Sequence, residues 1–277
     1  MTRTSGEHGD HEGYVHGHDP SEHARLRDQA SALVDLLHHD TAYPAGSLVL
    51  EAGCGVGAQT VTLARQSPGA AIVSVDISAE SVERARERVA RAGLANVTCR
   101  EADLCALPFA PASFDHVFVC FVLEHVARPL EVLGALAAAT KPGGTITVIE
   151  GDHGSAYFSP EDAAADDAID CLVRLQARAG GNARIGRQLY PLLTRAGLCD
   201  VRVSPRMVYV DGDRPDLADG FTRKTFAAMI DGVRARALAS GMITQERFDA
   251  GVDALRRAAE PDGVFCYTFF KATARRR

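Results

Sequence analysis

The sequence lacks an excess of basic residues and any apolar run long enough to cross a bilayer. Its 30 lysines and arginines stand against 36 acidic residues, which gives a formal net charge of −6. No basic stripe is visible, so a nucleic-acid groove is not expected as the main surface. The apolar runs are too short for a transmembrane helix, and no signal peptide is recognisable. We therefore expect neither a nucleic-acid nor a membrane partner.

The sequence also lacks a close pair of cysteines. Its seven cysteines are scattered, and none of them forms a C-x-x-C pair. A disulfide scaffold and a structural zinc site are therefore not expected. Several of these cysteines lie in apolar runs, where the thiol is typical of a small core residue. We expect a reducing, cytoplasmic location.

The feature that organises the chain is a short apolar run, residues 48–50, that ends at Glu51 and is followed by Gly53, Gly55 and Gly57. The run predicts a buried strand, and the glycines predict a tight turn open to a ligand. The next residues predict a helix, whose N-terminus suits an anionic group. A strand, a glycine loop and a helix in this order are typical of an open α/β sheet that holds an adenosine-type cofactor.

The pattern Glu51-x-Gly53-x-Gly55-x-Gly57 resembles the first motif of the class I S-adenosylmethionine (SAM)-dependent methyltransferases. It departs from the dinucleotide fingerprint, which places a third glycine three residues after the second, where this sequence has Ala58. For the glycines alone, an ordinary loop and an NAD(P)-dependent oxidoreductase are the alternatives. Later segments extend the resemblance to about residue 150.

The second predicted strand, 71–76, ends in Asp76, which can accept two hydrogen bonds from ribose hydroxyls or can cap the next helix. Further matches to the family follow the predicted strands 97–101 and 115–121. Pro142-Gly143-Gly144 then precedes the predicted strand 145–150. The resemblance implies SAM as cofactor, S-adenosylhomocysteine as product, and these cofactor-binding residues: Glu51, Gly53, Cys54, Gly55, Gly57, Gln59, Asp76, Ile77, Ala102, Asp103, Leu104, Phe121 and Val122.

The fold that the resemblance implies is an α/β, Rossmann-like, seven-stranded and mostly parallel sheet with helices on both faces. The predicted strand 264–270 is the antiparallel last strand of that sheet. Residues 1–18 are predicted to form a flexible arm or lid, and residues 19–277 the methyltransferase domain. The segments 151–190 and 211–262 exceed what the sheet needs, so we expect them to form a helical cap over the pocket.

Candidate proton acceptors follow two of the predicted strands. His125 comes after the fourth strand, and Glu150 and His153 come at the end of the fifth. Loops at these strand ends face the ligand in an open α/β sheet, and such side chains can act as general base or order a water. Tyr14, on the arm, is the fourth candidate. A turn histidine is the alternative for His125, and no metal site is expected.

The substrate-binding candidates lie on the arm and in the two long segments. A disordered terminus is the alternative for the arm, and cap core is the alternative for the aromatic residue at 221. The candidates are Tyr14, His16, His18, Asp152, Tyr157, Arg184 and Phe221.

The inferred reaction is in-line methyl transfer from SAM to a carbon, nitrogen or oxygen nucleophile of a small molecule. Beyond the core, the sequence resembles small-molecule methyltransferases of bacterial specialised metabolism, including those that act on indole or terpenoid natural products. A non-catalytic SAM-binding regulator, an NAD(P)-dependent oxidoreductase and an arsenite methyltransferase are the alternatives. The acceptor, the base and a homodimeric state are left open.

Overall fold

The fold is built on one eight-stranded sheet, seen in a computed structural model that describes residues 33–277. The strand order is β3-β2-β1-β4-β5-β8-β6, and β7 pairs with the other edge of β8. The strands are β1 Leu48–Ala52, β2 Ala71–Asp76, β3 Val97–Glu101, β4 Phe114–Cys120, β5 Thr140–Gly151, β6 Tyr157–Ser159, β7 Cys199–Val210 and β8 Val264–Arg275.

Helices connect these strands. Residues 33–38 are helical and precede β1. The labelled helices are α1 Ala58–Gln66, α2 Ala79–Arg91, α3 Pro129–Ala139, α4 Ala163–Arg178, α5 Leu189–Arg195, α7 Arg234–Ala239 and α8 Gln245–Arg257. Between α5 and α7 lies α6, which consists of three consecutive segments, Pro215–Leu217, Ala218–Ala227 and Ala228–Gly232, and the middle segment is a π-helix.

The predicted mostly parallel sheet with an antiparallel last strand is confirmed. Strands β1 to β5 pair in parallel, and β8 runs antiparallel to β5, β6 and β7. The predicted count of seven strands is one too low, because the three-residue strand β6 pairs with the start of β8. Three residues are too few to show the alternation by which a strand is recognised in a sequence.

Alternation along the strands divides the apolar core between the two faces of the sheet. One face carries Val49 and Phe118 and is covered by the helix at 33–38 together with α1, α4, α6 and α8. The other face carries Leu50 and Val117 and is covered by α3 and α5. The two long segments after β5 and β7 therefore contribute most of their helices to one side of the sheet. Their role as a cap stays a prediction.

The sheet reverses its direction of winding at β1. From β1 the chain proceeds through β2 to β3 on one side, whereas β4 and β5 lie on the other side. In open α/β sheets, ligands bind outside the carboxyl ends of the strands at such a point. The candidate site is therefore expected at the ends of β1, β2 and β4. Within residues 33–277, every helix is too short or too polar to span a bilayer.

Candidate functional site

The glycine loop after β1 folds in a way that requires glycine. Gly53 and Gly55 have φ angles of +74° and +50°, in the left-handed region. A Cβ at Gly53 would overlap the side chain of Val122, so the loop packs against the segment after β4 only without one. A Cβ at Gly55 would meet nothing within 4 Å. The loop is thus open on the side where a ligand would approach its backbone.

Asp76 is fixed beside this loop at the end of β2. Its Oδ2 atom accepts the backbone N–H of Gly55 at 2.8 Å, and its Oδ1 atom accepts the N–H of Ser78 at 3.0 Å. Helix α2 is capped by Ser78, which accepts the N–H of Ser81. An ionised carboxylate has about four acceptor positions, so Asp76 retains capacity for further donors.

The end of β3 lies against the end of β2, because the N–H of Ala102 donates to the backbone oxygen of Asp76. Ala102 and Leu104 are buried, whereas Asp103 is exposed and accepts the N–H of Cys105. Ile77 keeps 47% of its surface exposed directly after Asp76. An apolar side chain and an acid therefore flank the loop on this side.

Glu51 and Gln59 direct their side chains into the protein. The buried carboxylate of Glu51 accepts the hydroxyls of Thr60 and Ser74, at 2.6 and 2.5 Å, and so joins β1 to α1 and β2. Burial raises the pKa of Glu51 to about 7. Gln59 accepts a hydrogen bond from Nε2 of His38 at 2.8 Å. These side chains stabilise the loop from the interior of the protein.

Cys54 and Gly57 complete the predicted residues of the loop. The thiol of Cys54 is buried in a small apolar cluster, and burial raises its pKa well above the ordinary value. Gly57 precedes α1 and has a φ of +75°. The first turn of α1 has neither a side-chain cap nor an acidic residue, so its N–H groups remain suited to an anionic group.

The turn after β4 is held by Glu150. Phe121 adopts a left-handed φ of +57°, and a turn of 3₁₀ helix follows over Leu123–His125. The Oε1 atom of Glu150 accepts the N–H groups of Val122 and Leu123, at 3.0 and 2.8 Å. Burial and the charge of nearby Glu124 raise the pKa of Glu150, and these backbone donors oppose the rise.

Two predicted histidines meet at one carboxylate. The Nε2 atom of His125 lies 3.4 Å from Oε1 of Glu124, and the Nε2 atom of His153 lies 3.9 Å from Oε2 of the same residue. The Nδ1 atom of His153 is 2.6 Å from the hydroxyl of Tyr267. The structure thus brings His125, His153 and Glu150 into one cluster.

Glu124 and Tyr267 were not among the residues predicted from the sequence. Glu124 was visible as an acid within the otherwise apolar run after β4, next to a predicted histidine. Tyr267 gave no signal, since it lies within the apolar last strand, 114 positions after its partner His153.

The ring of Tyr267 is surrounded by other aromatic rings. Phe221 and Phe226 approach it with ring centroids at 5.8 and 5.4 Å, and Phe269 at 4.8 Å. Phe221 and Phe226 are five positions apart, and both lie in the π-helical part of α6. Because a π-helix bonds residue i to i+5, it places both rings on one face. Phe221 is 1% exposed and belongs to this aromatic cluster.

The other predicted substrate-binding residues are placed differently. Buried Asp152 binds the Arg187 guanidinium through two hydrogen bonds, at 2.5 and 2.8 Å. Arg184 is exposed, and a Cβ at Gly154 would meet the side chains of both arginines. The Arg187 guanidinium is thus neutralised by Asp152, and Arg184 lies beside it near the end of β5.

Tyr157 lies away from the Glu124 cluster. It pairs with Cys266 in the sheet, one position from Tyr267, so Tyr157 and Tyr267 point to opposite faces. Its hydroxyl reaches the sulfur of Met207, and 57% of its surface is exposed. Tyr14, His16 and His18 lie outside the described residues. Across residues 33–277, no three histidine, cysteine or acidic side chains are placed to hold a metal ion.

Comparisons with known proteins agree with this geometry. A family model described as a methyltransferase domain matches residues 50–148. The chain is 31% identical over 138 residues to the methyltransferase GfsG of Streptomyces halstedii, and this alignment covers 50% of this chain and 49% of that protein. The chain is 38% identical over 116 residues to the demethylmenaquinone methyltransferase of Tropheryma whipplei, and that alignment covers 42% of this chain and 46% of the relative. The chain thus spans about half the length of these relatives.

A solved structure shares the fold. The phosphoethanolamine N-methyltransferase 2 of Haemonchus contortus, solved in complex with S-adenosyl-L-methionine, superposes with a TM-score of 0.54 at 19% identity. The superposition covers 90% of this chain and 53% of that chain. The similarity extends beyond the matched domain to the arrangement of the later helices and strands.

Proposed function

We propose that this chain carries a class I SAM-dependent methyltransferase domain, as the matched family model and relatives support, and that it transfers a methyl group from SAM to a small-molecule acceptor. The observation that carries the proposal is the hydrogen bond between Gly55 and Asp76 at the end of β1 and β2. It fixes the open glycine loop and the acid of the second strand as one unit at the point where the sheet reverses its winding.

The residues present fit the cofactor. Asp76 would hold the ribose hydroxyls, and the exposed side chain of Ile77 offers apolar surface for the adenine. The backbone amide at Leu104 would meet the ring. Phe121 and Val122 would line the methionine end. When bound, SAM supplies a methyl group on a sulfonium that is already reactive toward nucleophiles. The protein's contribution is then to position the acceptor, which supplies much of the rate, and to accept its proton.

The acidic cluster after β4 and β5 supports the second task. Glu150 fixes the turn that carries Glu124 and His125, and His153 approaches from the end of β5. A carboxylate beside an imidazole stabilises the protonated ring, so such a pair can accept a proton from an acceptor. We propose that proton removal takes place in this cluster. Which single residue acts as the base is still a prediction, and the candidates are His125, His153, Glu150 and Tyr14.

The acceptor we propose is a small molecule with a carbon, nitrogen or oxygen nucleophile, such as an indole or another aromatic natural product. The helices of the segments 151–190 and 211–262 cover one side of the sheet, which suits an enclosed site for a small ligand better than a polymer. Arg184 remains a proposed contact, whereas the side chains of Asp152 and Phe221 are buried against Arg187 and Tyr267. The homodimer and the cytoplasmic location stay predictions.

Calorimetric titration of SAM and S-adenosylhomocysteine tests the proposal. The wild type is expected to bind both, and Asp76→Ala is expected to weaken binding by about 2–3 kcal/mol, roughly 30- to 150-fold, because two charge-assisted hydrogen bonds are lost. Asp76→Asn removes the charge of the carboxylate but keeps the shape of the side chain, so it distinguishes the two contributions to binding. Glu87→Ala is the control, since Glu87 is an exposed residue on α2. Absence of binding by the wild type would refute the proposed function.

A further inference from the structure

The hydroxyl of Tyr267 is a close partner of His153. The tyrosine oxygen lies against the end of β5, where a Cβ at Gly151 would meet it, and it is 2.6 Å from Nδ1 of His153. The opposite ring nitrogen, Nε2, faces a carboxylate oxygen of Glu124. The tautomer with its proton on Nε2 matches both neighbours, because the tyrosine O–H can then donate to Nδ1 while the Nε2–H faces the carboxylate.

The Nε2 atom of His153 faces Glu124. Its distance to Oε2 is 3.9 Å, and the other carboxylate oxygen, Oε1, lies 3.4 Å from Nε2 of His125. Both nitrogens of His153 thus face protein groups, Tyr267 on one side and Glu124 on the other. The His153 side chain is also only 7% exposed. An Nε2–H of His153 would interact with the Glu124 carboxylate electrostatically, at a distance beyond a direct hydrogen bond.

His125 occupies a different position in the cluster. Its side chain is 17% exposed, more than twice the exposure of His153. It is also next to Glu124 in the 3₁₀ turn that follows β4, at the proposed methionine end of the cofactor. Glu150, which caps that turn, adds a second carboxyl group close to Glu124. His125 is therefore the more exposed of the two imidazoles, and it adjoins a carboxyl group of the cluster.

We propose that Glu124 and His125 form the proton-accepting pair of the site, and that His153 and Tyr267 are positioning residues that orient Glu124. This inference rests on the proposed methyl transfer. As the acceptor's electron pair forms the bond to the methyl carbon, the pair of the methyl–sulfur bond stays on sulfur. The proton leaves the acceptor for the Glu124–His125 pair.

The aromatic cluster extends this positioning to the segment after β7. The rings of Phe221 and Phe226 pack on Tyr267, and their common face depends on the π-helical turn of α6. A rigidly packed tyrosine ring keeps its hydroxyl at His153. The helical segment 211–262 therefore contributes to the proton network through the rings that pack on Tyr267.

Long-range ¹H–¹⁵N correlation spectra of ¹⁵N-labelled protein test the inference without a substrate. In the wild type, neutral His153 is expected to be protonated at Nε2. Tyr267→Phe keeps the aromatic ring but removes the hydroxyl. In this variant the population of the Nε2–H tautomer of His153 is expected to fall. Protonation of wild-type His153 at Nδ1 would overturn the assignment, and this measurement needs no variant to fold.

The imidazole ¹⁵N resonances in the same spectra test the shared carboxylate. Glu124→Gln is expected to shift the resonances of both His125 and His153, because both rings face this carboxylate. The control Glu87→Gln is expected to leave both unchanged. Unaltered His125 resonances in Glu124→Gln would refute the pair.

Calorimetry with S-adenosylhomocysteine separates the two proposals. Tyr267→Phe is expected to bind it within twofold of the wild type, because Tyr267 lies outside the proposed cofactor residues. A wild type that fails to bind would refute the methyl transfer on which the inference rests, whatever the spectra show. A wild type that binds normally but carries the Nδ1 proton would refute the positioning roles alone.

Discussion

The carboxylate of Glu150 accepts the backbone N–H of Leu123 at 2.8 Å, so the end of β5 holds the turn that follows β4. The same oxygen accepts the N–H of Val122. These donors belong to a turn whose first residue, Phe121, has a left-handed φ. The buried acid therefore stabilises a backbone conformation that a non-glycine residue rarely adopts.

Replacement of Glu150 by alanine is expected to lower the free energy of unfolding by about 2–3 kcal/mol, because it leaves buried N–H groups without their acceptor. Glu150→Gln keeps one acceptor oxygen, and a single oxygen of Glu150 accepts both N–H groups, so we expect this variant to lose less than half of that. Urea unfolding of the three proteins gives the comparison. Equal losses for the two variants would contradict the capping role.

Gly53→Ala is expected to weaken binding of S-adenosylhomocysteine at least tenfold and to destabilise the fold by roughly 1–3 kcal/mol, because the new methyl group overlaps Val122 at a left-handed φ. Gly134→Ala is the matched control. A Cβ at Gly134, within α3, meets nothing within 4 Å, so this change should be neutral or stabilising by about 0.4–1 kcal/mol.

The double variant Gly53→Ala/Val122→Ala checks the cause of that loss. Removal of the Val122 branches is expected to recover part of the binding, whereas the strain at the left-handed position remains. If the double variant binds no better than Gly53→Ala, then the overlap with Val122 is not the reason for the defect.

Glu51 gives a pH dependence of defined sign. Its pKa is about 7 in the folded protein against an ordinary 4.5, so the folded state holds a proton that the unfolded state has released between these values. The stability of the wild type relative to Glu51→Gln is therefore expected to fall by about 3 kcal/mol as pH rises from 4.5 through 7. Urea unfolding of both proteins across this range measures the difference.

The comparison with Glu51→Gln is necessary because His38 acts in the opposite direction. Burial lowers the pKa of His38 to about 4, so the unfolded state binds the extra proton and stability rises between pH 4 and 6.5. The wild-type curve alone combines the two groups. A difference curve that stays flat or rises with pH would show that Glu51 is ionised at neutral pH in the folded protein.

Local patterns predicted the part of the site that is made by neighbouring residues. The glycine loop directly follows β1, and Asp76 is the last residue of β2, so spacing and residue type suffice to place each of them. The apolar strands β1 and β2 were predicted for the same reason. Their parallel pairing followed from the family resemblance.

Contacts between distant segments could not be predicted in this way. Tyr267 meets His153 only because β8 lies beside β5, and no pattern in the last strand distinguishes Tyr267 from its apolar neighbours. The shared face of Phe221 and Phe226 does not follow from the periodicity of an α-helix, which places residues five apart on different sides. The structure has a π-helix there instead.

Strand β8 pairs with β5, β6 and β7, and each of those partners precedes it in the chain. During synthesis, β5, β6 and β7 therefore leave the ribosome before β8, and the edges that pair with β8 stay unpaired until it emerges. Pairings of this long sequence separation form slowly, and unpaired edges invite association with other chains. The protein's yield in a cell should accordingly depend on how well nascent chains are shielded until β8 has emerged.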